Sequence, residues 1–247
     1  MKRALVFTFI IAMLLSIASF AEEKTVFVTI SNGSPVLVNE RVALSDLDGD
    51  GKTTVNDALI AAHEEGQYGY AESAYGLGIT KLWGVENESG YGYYVNNAPC
   101  MSLSDEIKAG DSVYAYIYTD MVTYSDTFCY FDKSTVSAVS GESVTLTLTK
   151  AGYDANWNFT TSPLADATIT VNGENTQYKT DENGKVTVKF DKTGDFIISA
   201  VCDGTVLVPP VCTAEVTNVP ETSDISFILI LTMLMSAVVL KKKICVK

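Results

Sequence analysis

Four aspartates, Asp46, Asp48, Asp50 and Asp57, stand at positions 1, 3, 5 and 12 of the segment DLDGDGKTTVND (46–57), with Gly51 at position 6. A glycine there lets the chain turn sharply, so that side chains from alternate positions point at one centre. Such a set of oxygens suits a hard cation that takes about six to eight oxygen ligands, which is the chemistry of Ca2+. On this reading Asp46, Asp48 and Asp50 supply three ligands, the Lys52 backbone carbonyl a fourth, and Asp57 one or two more. Asp57 has a second role open to it. Thr54 followed three residues later by Asp57 approximates a capping box at the start of the helix VNDALIAAHEE. Both roles are compatible, because a calcium loop commonly ends inside a helix.

The spacing is that of an EF-hand-type loop. Aspartate at position 12 also resembles a dockerin repeat, a module that carries two such loops where this chain has one. The helix that follows places Val55, Ala58, Leu59 and Ala62 at helical spacing, so it buries one stripe, and Gly66 is its expected stop. Around it KTVFVTI, PVLVNERVAL, GITKLWGV, GYGYYVN and DSVYAYIYTD read as strands, which predicts a small α+β domain over 22–130, a sheet with one helix packed on it. Eleven of the 13 tyrosines fall between Tyr68 and Tyr130. Tyr114, Tyr116 and Tyr118 alternate with Val113, Ala115 and Ile117, which puts three phenol rings on one face of a strand. With Trp83 they are the candidate ligand-binding residues, since exposed rings could stack on a glycan, a corrinoid or a host protein. The competing reading is a half-buried sheet face, which tyrosine favours on propensity alone.

Residues 131–217 change character. ESVTLTLTK, DATITVNG, TQYKT, GKVTVKF and DFIISAV alternate with period two, and TDENGKV reads as a hairpin turn in which Gly184 supplies a positive φ. The expectation is an all-β sandwich of the Ig-like or prealbumin-like kind. It resembles the spacer modules of bacterial surface proteins.

A further resemblance lies in TTVNDAL, YGYYVNN and IKAGDSVYAYIY. Together they are similar to the small α+β domain at the C-terminus of transcobalamin and intrinsic factor, found also in many bacterial surface proteins of unknown function. In the vertebrate members that domain covers a bound corrinoid, so the resemblance implies an extracytoplasmic corrinoid-binding protein as the alternative function.

Residues 1–21 read as a signal peptide, with Lys2 and Arg3 ahead of the apolar run 5–17 and Ala18, Ser19 and Ala21 at the cleavage site. Residues 218–247 hold VPETS, a hydrophobic stretch and Lys241, Lys242 and Lys243. That order resembles the sorting signal of Gram-positive surface proteins, which implies Thr222 as the residue joined to the cell wall. Val219 and Ser223 replace the leucine and glycine of that family's pentapeptide. A plain C-terminal transmembrane helix is the alternative, and either way the bulk of the chain faces outward.

Trimmed at both ends, the chain loses six of its 17 Lys+Arg and one of its 30 Asp+Glu, leaving a formal charge of −18. So acidic a surface repels phosphate backbones and excludes nucleic acid as partner. A lone imidazole, His63, and no spaced zinc ligands argue against catalysis. Of the cysteines outside the tail (Cys100, Cys129, Cys202, Cys212), Cys202 and Cys212 flank a turn and are the favoured cross-strand pair, with four free thiols as the alternative. The sequence therefore predicts an extracellular, surface-anchored, non-catalytic binding or scaffold protein whose first domain is stabilised by Ca2+.

Overall fold

The computed structural model describes residues 24–33, 36–74, 76–88 and 90–218. The signal peptide 1–21, Thr222 and the hydrophobic tail lie outside those residues. Among the described residues no helix is long and apolar enough to cross a membrane. In chain order the first elements are β1 (Thr25–Asn32), β2 (Val36–Ala43), α1 (Val55–Ala61), β3 (Gly69–Ser73), β4 (Gly76–Lys81), β5 (Tyr91–Val95), β6 (Ala98–Pro99), β7 (Ser112–Ile117) and β8 (Thr127–Phe131). Then come β9 (Thr135–Val139), β10 (Ser143–Tyr153), β11 (Phe159–Pro163), β12 (Thr168–Val171), β13 (Glu174–Lys179), β14 (Lys185–Lys189), β15 (Gly194–Val201), β16 (Leu207–Val208) and β17 (Cys212–Thr217).

Two compact units share these elements. The first takes 24–130, 150–162 and 201–210, the second 131–149, 163–200 and 211–218. A boundary at 130/131, as expected from composition, misses the two later segments that complete the first unit.

In the first unit one sheet has the order β2-β1-β7-β5-β6, with β1 antiparallel to β2 and parallel to β7. Period-two alternation gives that sheet two apolar faces. On one, Val26, Val28 and Ile30 of β1 and Val113, Ala115 and Ile117 of β7 meet Val55, Ala58, Leu59 and Ala62 of the helix segment in a single core. The other face carries the tyrosines. The helix starts as its capping box dictates, with Thr54 as N-cap and Asp57 closing the box. It stops at the C-cap Ala62, short of Gly66, and Glu64 and Glu65 follow where a helix C-terminus disfavours negative charge. β3 pairs with β4 as an antiparallel hairpin. β4 falls in the strand expected from GITKLWGV, whereas the almost fully exposed β3 carries no apolar alternation and so no strand signal.

The second unit holds a five-stranded sheet of order β13-β12-β15-β17-β9, in which β17 pairs antiparallel with β15 and parallel with β9. The first part of β10 pairs antiparallel with β14. Val144, Leu146 and Leu148 alternate as buried residues on β10, Val186 and Val188 on β14, and Cys212, Ala214 and Val216 on β17. This order, with the first strand running parallel beside the last, is that of an Ig-type sandwich. The turn at Gly184 is as the sequence predicts: φ is 70° and its N–H donates to the Asp181 carbonyl at 2.9 Å. A Cβ there would collide with the Leu148 carbonyl oxygen, so glycine is required on two counts.

Candidate metal centre

The acidic loop joins β2 to α1. Gly49 and Gly51 adopt φ of 79° and 87°, and the turns they allow bring one carboxylate oxygen each of Asp46, Asp48 and Asp50 to within 4.8 Å of one another. Main-chain donors fix the three carboxylates from outside. Asp46 accepts from Gly49 N–H at 2.7 Å and Gly51 N–H at 2.9 Å, Asp48 from Asp50 N–H at 3.3 Å, and Asp50 from Lys52 N–H at 2.9 Å. An all-oxygen donor set from a short glycine-bearing loop fits Ca2+ and does not fit zinc.

Asp57 fills the second of its two expected roles, the cap, and is not one of the three converging carboxylates. It is 1 % exposed and lies outside the three-carboxylate group. One oxygen accepts Leu47 N–H at 2.6 Å and Asp48 N–H at 3.2 Å, the other Thr54 N–H and Thr54 Oγ1, each at 2.8 Å. The cause is the start of a buried helix, whose first N–H groups lack intrahelical partners. Burial pushes the Asp57 carboxyl up, but the hydrogen bonds from Leu47, Thr54 and Asp48 outweigh it and hold it below the ordinary carboxylate value. Asp57 thus ties the mouth of the loop to the helix. The Lys52 ammonium pairs with Glu106 at 2.8 Å on the surface and is raised chiefly by that hydrogen bond.

Asn56 escaped the sequence reading. Fully buried, it donates from Nδ2 to Asp48 at 2.7 Å and accepts from the Tyr68 hydroxyl at 2.9 Å, so it sets the orientation of one candidate ligand. An amide beside the helix's apolar stripe, next to the capping aspartate, was the available signal.

The tyrosine row is interior, which corrects its expected role as an exposed ligand face. Tyr116 is 2 % exposed and Tyr114 and Tyr118 are half-buried. Their face packs with Tyr94 against Phe128 of β8, Ala151 of β10 and Val208 of β16, with Tyr94 and Phe128 stacked at 3.7 Å between ring centroids. The Tyr114 hydroxyl donates to the Pro209 carbonyl at 2.5 Å. Tyr116 lies across Gly92, its partner on β5, where a Cβ would collide with the ring. Burial pushes the Tyr94 phenol up to about 12 and raises Tyr116 as well. A phenol whose face is covered by apolar strands must find its partner inside, as Tyr114 does at Ser31 and the Pro209 carbonyl.

Trp83 is half-buried against the helix-side core, with φ at 49°. Its N–H donates to His63 Nε2 at 3.3 Å, and His63 Nδ1–H donates to the Leu59 carbonyl. His63 also stacks on Tyr68, with centroids 4.9 Å apart. Burial holds this imidazole below its ordinary value, against the pull of the Leu59 carbonyl. With both ring nitrogens engaged by main chain, it has no free base to offer.

All four described cysteines are free thiols. The favoured Cys202 to Cys212 bridge is absent because the β15/β17 register pairs Cys212 with Ile198, while Cys202 bridges to Thr205 in its own turn.

No protein-family model matches the chain, and no curated protein matches it. Among solved structures, the crystal structures of the N-terminal four Ig domains of Dscam1 isoforms 4.44 and 7.44 are similar to it at 13 % identity, each with a TM-score of 0.23. Each match covers 81 % of this chain and 45 % of the Dscam1 chain, so the chain spans under half the length of those structures.

Proposed function

We propose that this protein is a non-catalytic binding or scaffold module displayed outside the cell, held at the cell wall or membrane by its C-terminal segment, with a first unit stabilised by Ca2+ and an Ig-like second unit as spacer. The observation that carries it is the convergence of Asp46, Asp48 and Asp50. Three carboxylates so close repel by on the order of 1 kcal/mol per pair in water-like surroundings, and a divalent cation reverses the sign. The Lys52 carbonyl and solvent would complete the shell. Such an ion is structural: it binds a loop that Asp57 ties to the helix, and the helix packs on the central sheet, so ion affinity becomes stability of the unit.

The test is thermal unfolding of the purified chain with calcium and with chelator. Calcium at a hundredfold excess over its Kd raises the melting temperature by about 5–10 °C. Asp48→Ala combined with Asp50→Ala abolishes that difference. An unchanged melting temperature in metal-stripped buffer refutes the calcium role. The corrinoid alternative is tested by the visible absorbance of the chain after incubation with cobalamin and desalting; the interior position of the tyrosine face speaks against it.

A further inference from the structure

The β10/β11 hairpin ends in an unusual tip. Trp157 N–H donates to the Asp154 carbonyl and Asp154 N–H to the Asn158 carbonyl, each at 3.0 Å, a three-residue connection of Ala155, Asn156 and Trp157. The last residue of such a loop takes the left-handed conformation and is by default glycine. Here it is tryptophan, at φ 63° and 81 % exposed. A bulky side chain pays a steric penalty in that conformation, and an exposed indole gains no burial in return. Folding alone would replace it.

The surroundings hold the ring in place. The Asp154 carboxylate accepts N–H from Asn156 at 2.8 Å and from Asn158 at 2.9 Å, and hydrogen bonds from those two and from the Asn158 amide group keep it ionised below its ordinary value. Tyr153, 49 % exposed, lies with its ring centroid 6.3 Å from that of Trp157 at 49°, and is braced edge-on by Phe159 at 5.8 Å. Two flat rings thus stand out from the hairpin tip. Beside them in the same turn is the exposed side chain of Asn156, without a hydrogen bond among the described residues.

We infer that Tyr153 and Trp157 form a stacking platform for an uncharged sugar. The apolar C–H face of a pyranose matches an aromatic ring, while its hydroxyls need polar partners of the kind that the Asn156 amide offers. The two rings expose roughly 300 Å2, well short of the ~800 Å2 per partner of a stable protein interface but ample for one or two sugar units. The formal charge of −13 repels anionic ligands and lipid surfaces. This inference rests on the reading of the chain as a binding module, and it is independent of calcium.

Calorimetric titration of the full chain with cellotetraose, chitotetraose and mannotetraose tests it. Saturable binding to at least one is expected, at least tenfold weaker in Trp157→Gly and several-fold weaker in Tyr153→Ala. Trp157→Gly also melts no lower than the parent, since glycine adopts the left-handed turn freely. Absence of saturable heat with all three sugars at millimolar concentration overturns the inference. So does undiminished binding by Trp157→Gly, a large loss of stability in that variant, or Trp157-dependent flotation with phosphatidylcholine vesicles in place of sugar binding. A calcium shift that persists while the sugars fail leaves the module standing and removes only its ligand; the converse removes only the ion.

Discussion

Asp57 accepts four donors from the mouth of the loop and the start of the helix, more than any carboxylate of the candidate ion cluster. Replacing it by alanine removes the cap and leaves the buried Thr54 N–H and the partly buried Leu47 and Asp48 N–H groups without their acceptor, and urea unfolding should show a loss of about 1–3 kcal/mol even with chelator present. A pure ion ligand would lose nothing under chelation. Two windows of acid sensitivity follow from the perturbed groups. His63 titrates at 6.5 when unfolded and lower when folded, so below 6.5 the unfolded chain binds more protons and stability falls with pH until the native value is passed. His63→Gln should flatten that limb of a melting-temperature profile. Asp57, depressed from 3.8, contributes stability that is complete above 3.8 and lost as pH falls through its native value. At this scale the sequence was informative about positions 1, 3 and 5, where spacing alone makes side chains converge, and about the Thr54/Asp57 box. It was silent on which of two roles Asp57 takes, because burial decides that and burial comes from strands elsewhere.

The central sheet of the first unit shows why alternation is a partial guide. Period two separated Val113, Ala115 and Ile117 from Tyr114, Tyr116 and Tyr118, and the two sets do lie in different cores. Which face meets water was not legible, since the cover comes from β8, the end of β10 and β16, far along the chain and partly two residues long. Tyr116→Ala should therefore cost about 3–5 kcal/mol in chemical unfolding through the cavity it leaves. Gly92→Ala, which drives a methyl into the same ring, should also destabilise, without exposing the chain to any lost ligand. Had the tyrosines been a free surface, both variants would fold as well as the parent. β4 was legible within GITKLWGV, but its hairpin partner β3 was missed for the opposite reason: it is exposed, and an exposed strand need not alternate.

Two domains in sequence became two units in space, but their chain segments interleave. A fragment ending at 130 keeps the helix-side core and lacks 150–162 and 201–210, so the aromatic face around Tyr94, Tyr116 and Phe128 loses Ala151 and Val208. Such a fragment should bind a hydrophobic dye and melt without cooperativity, whereas a clean, cooperative transition would show the later segments to be dispensable. The Ig-type order of the second unit was legible as a class because turn signals and period-two runs repeat through it; the parallel pairing of β9 with β17 was not, because it joins residues some eighty positions apart.

That interleaving also sets the timetable of folding. The first unit is complete only when residues 201–210 have arrived, and the second only with β17 at 212–217, so neither can close while its C-terminal end is still being made. Contacts of such long range slow the search for the native state. A chain built this way can complete either half only when nearly all of it has been made.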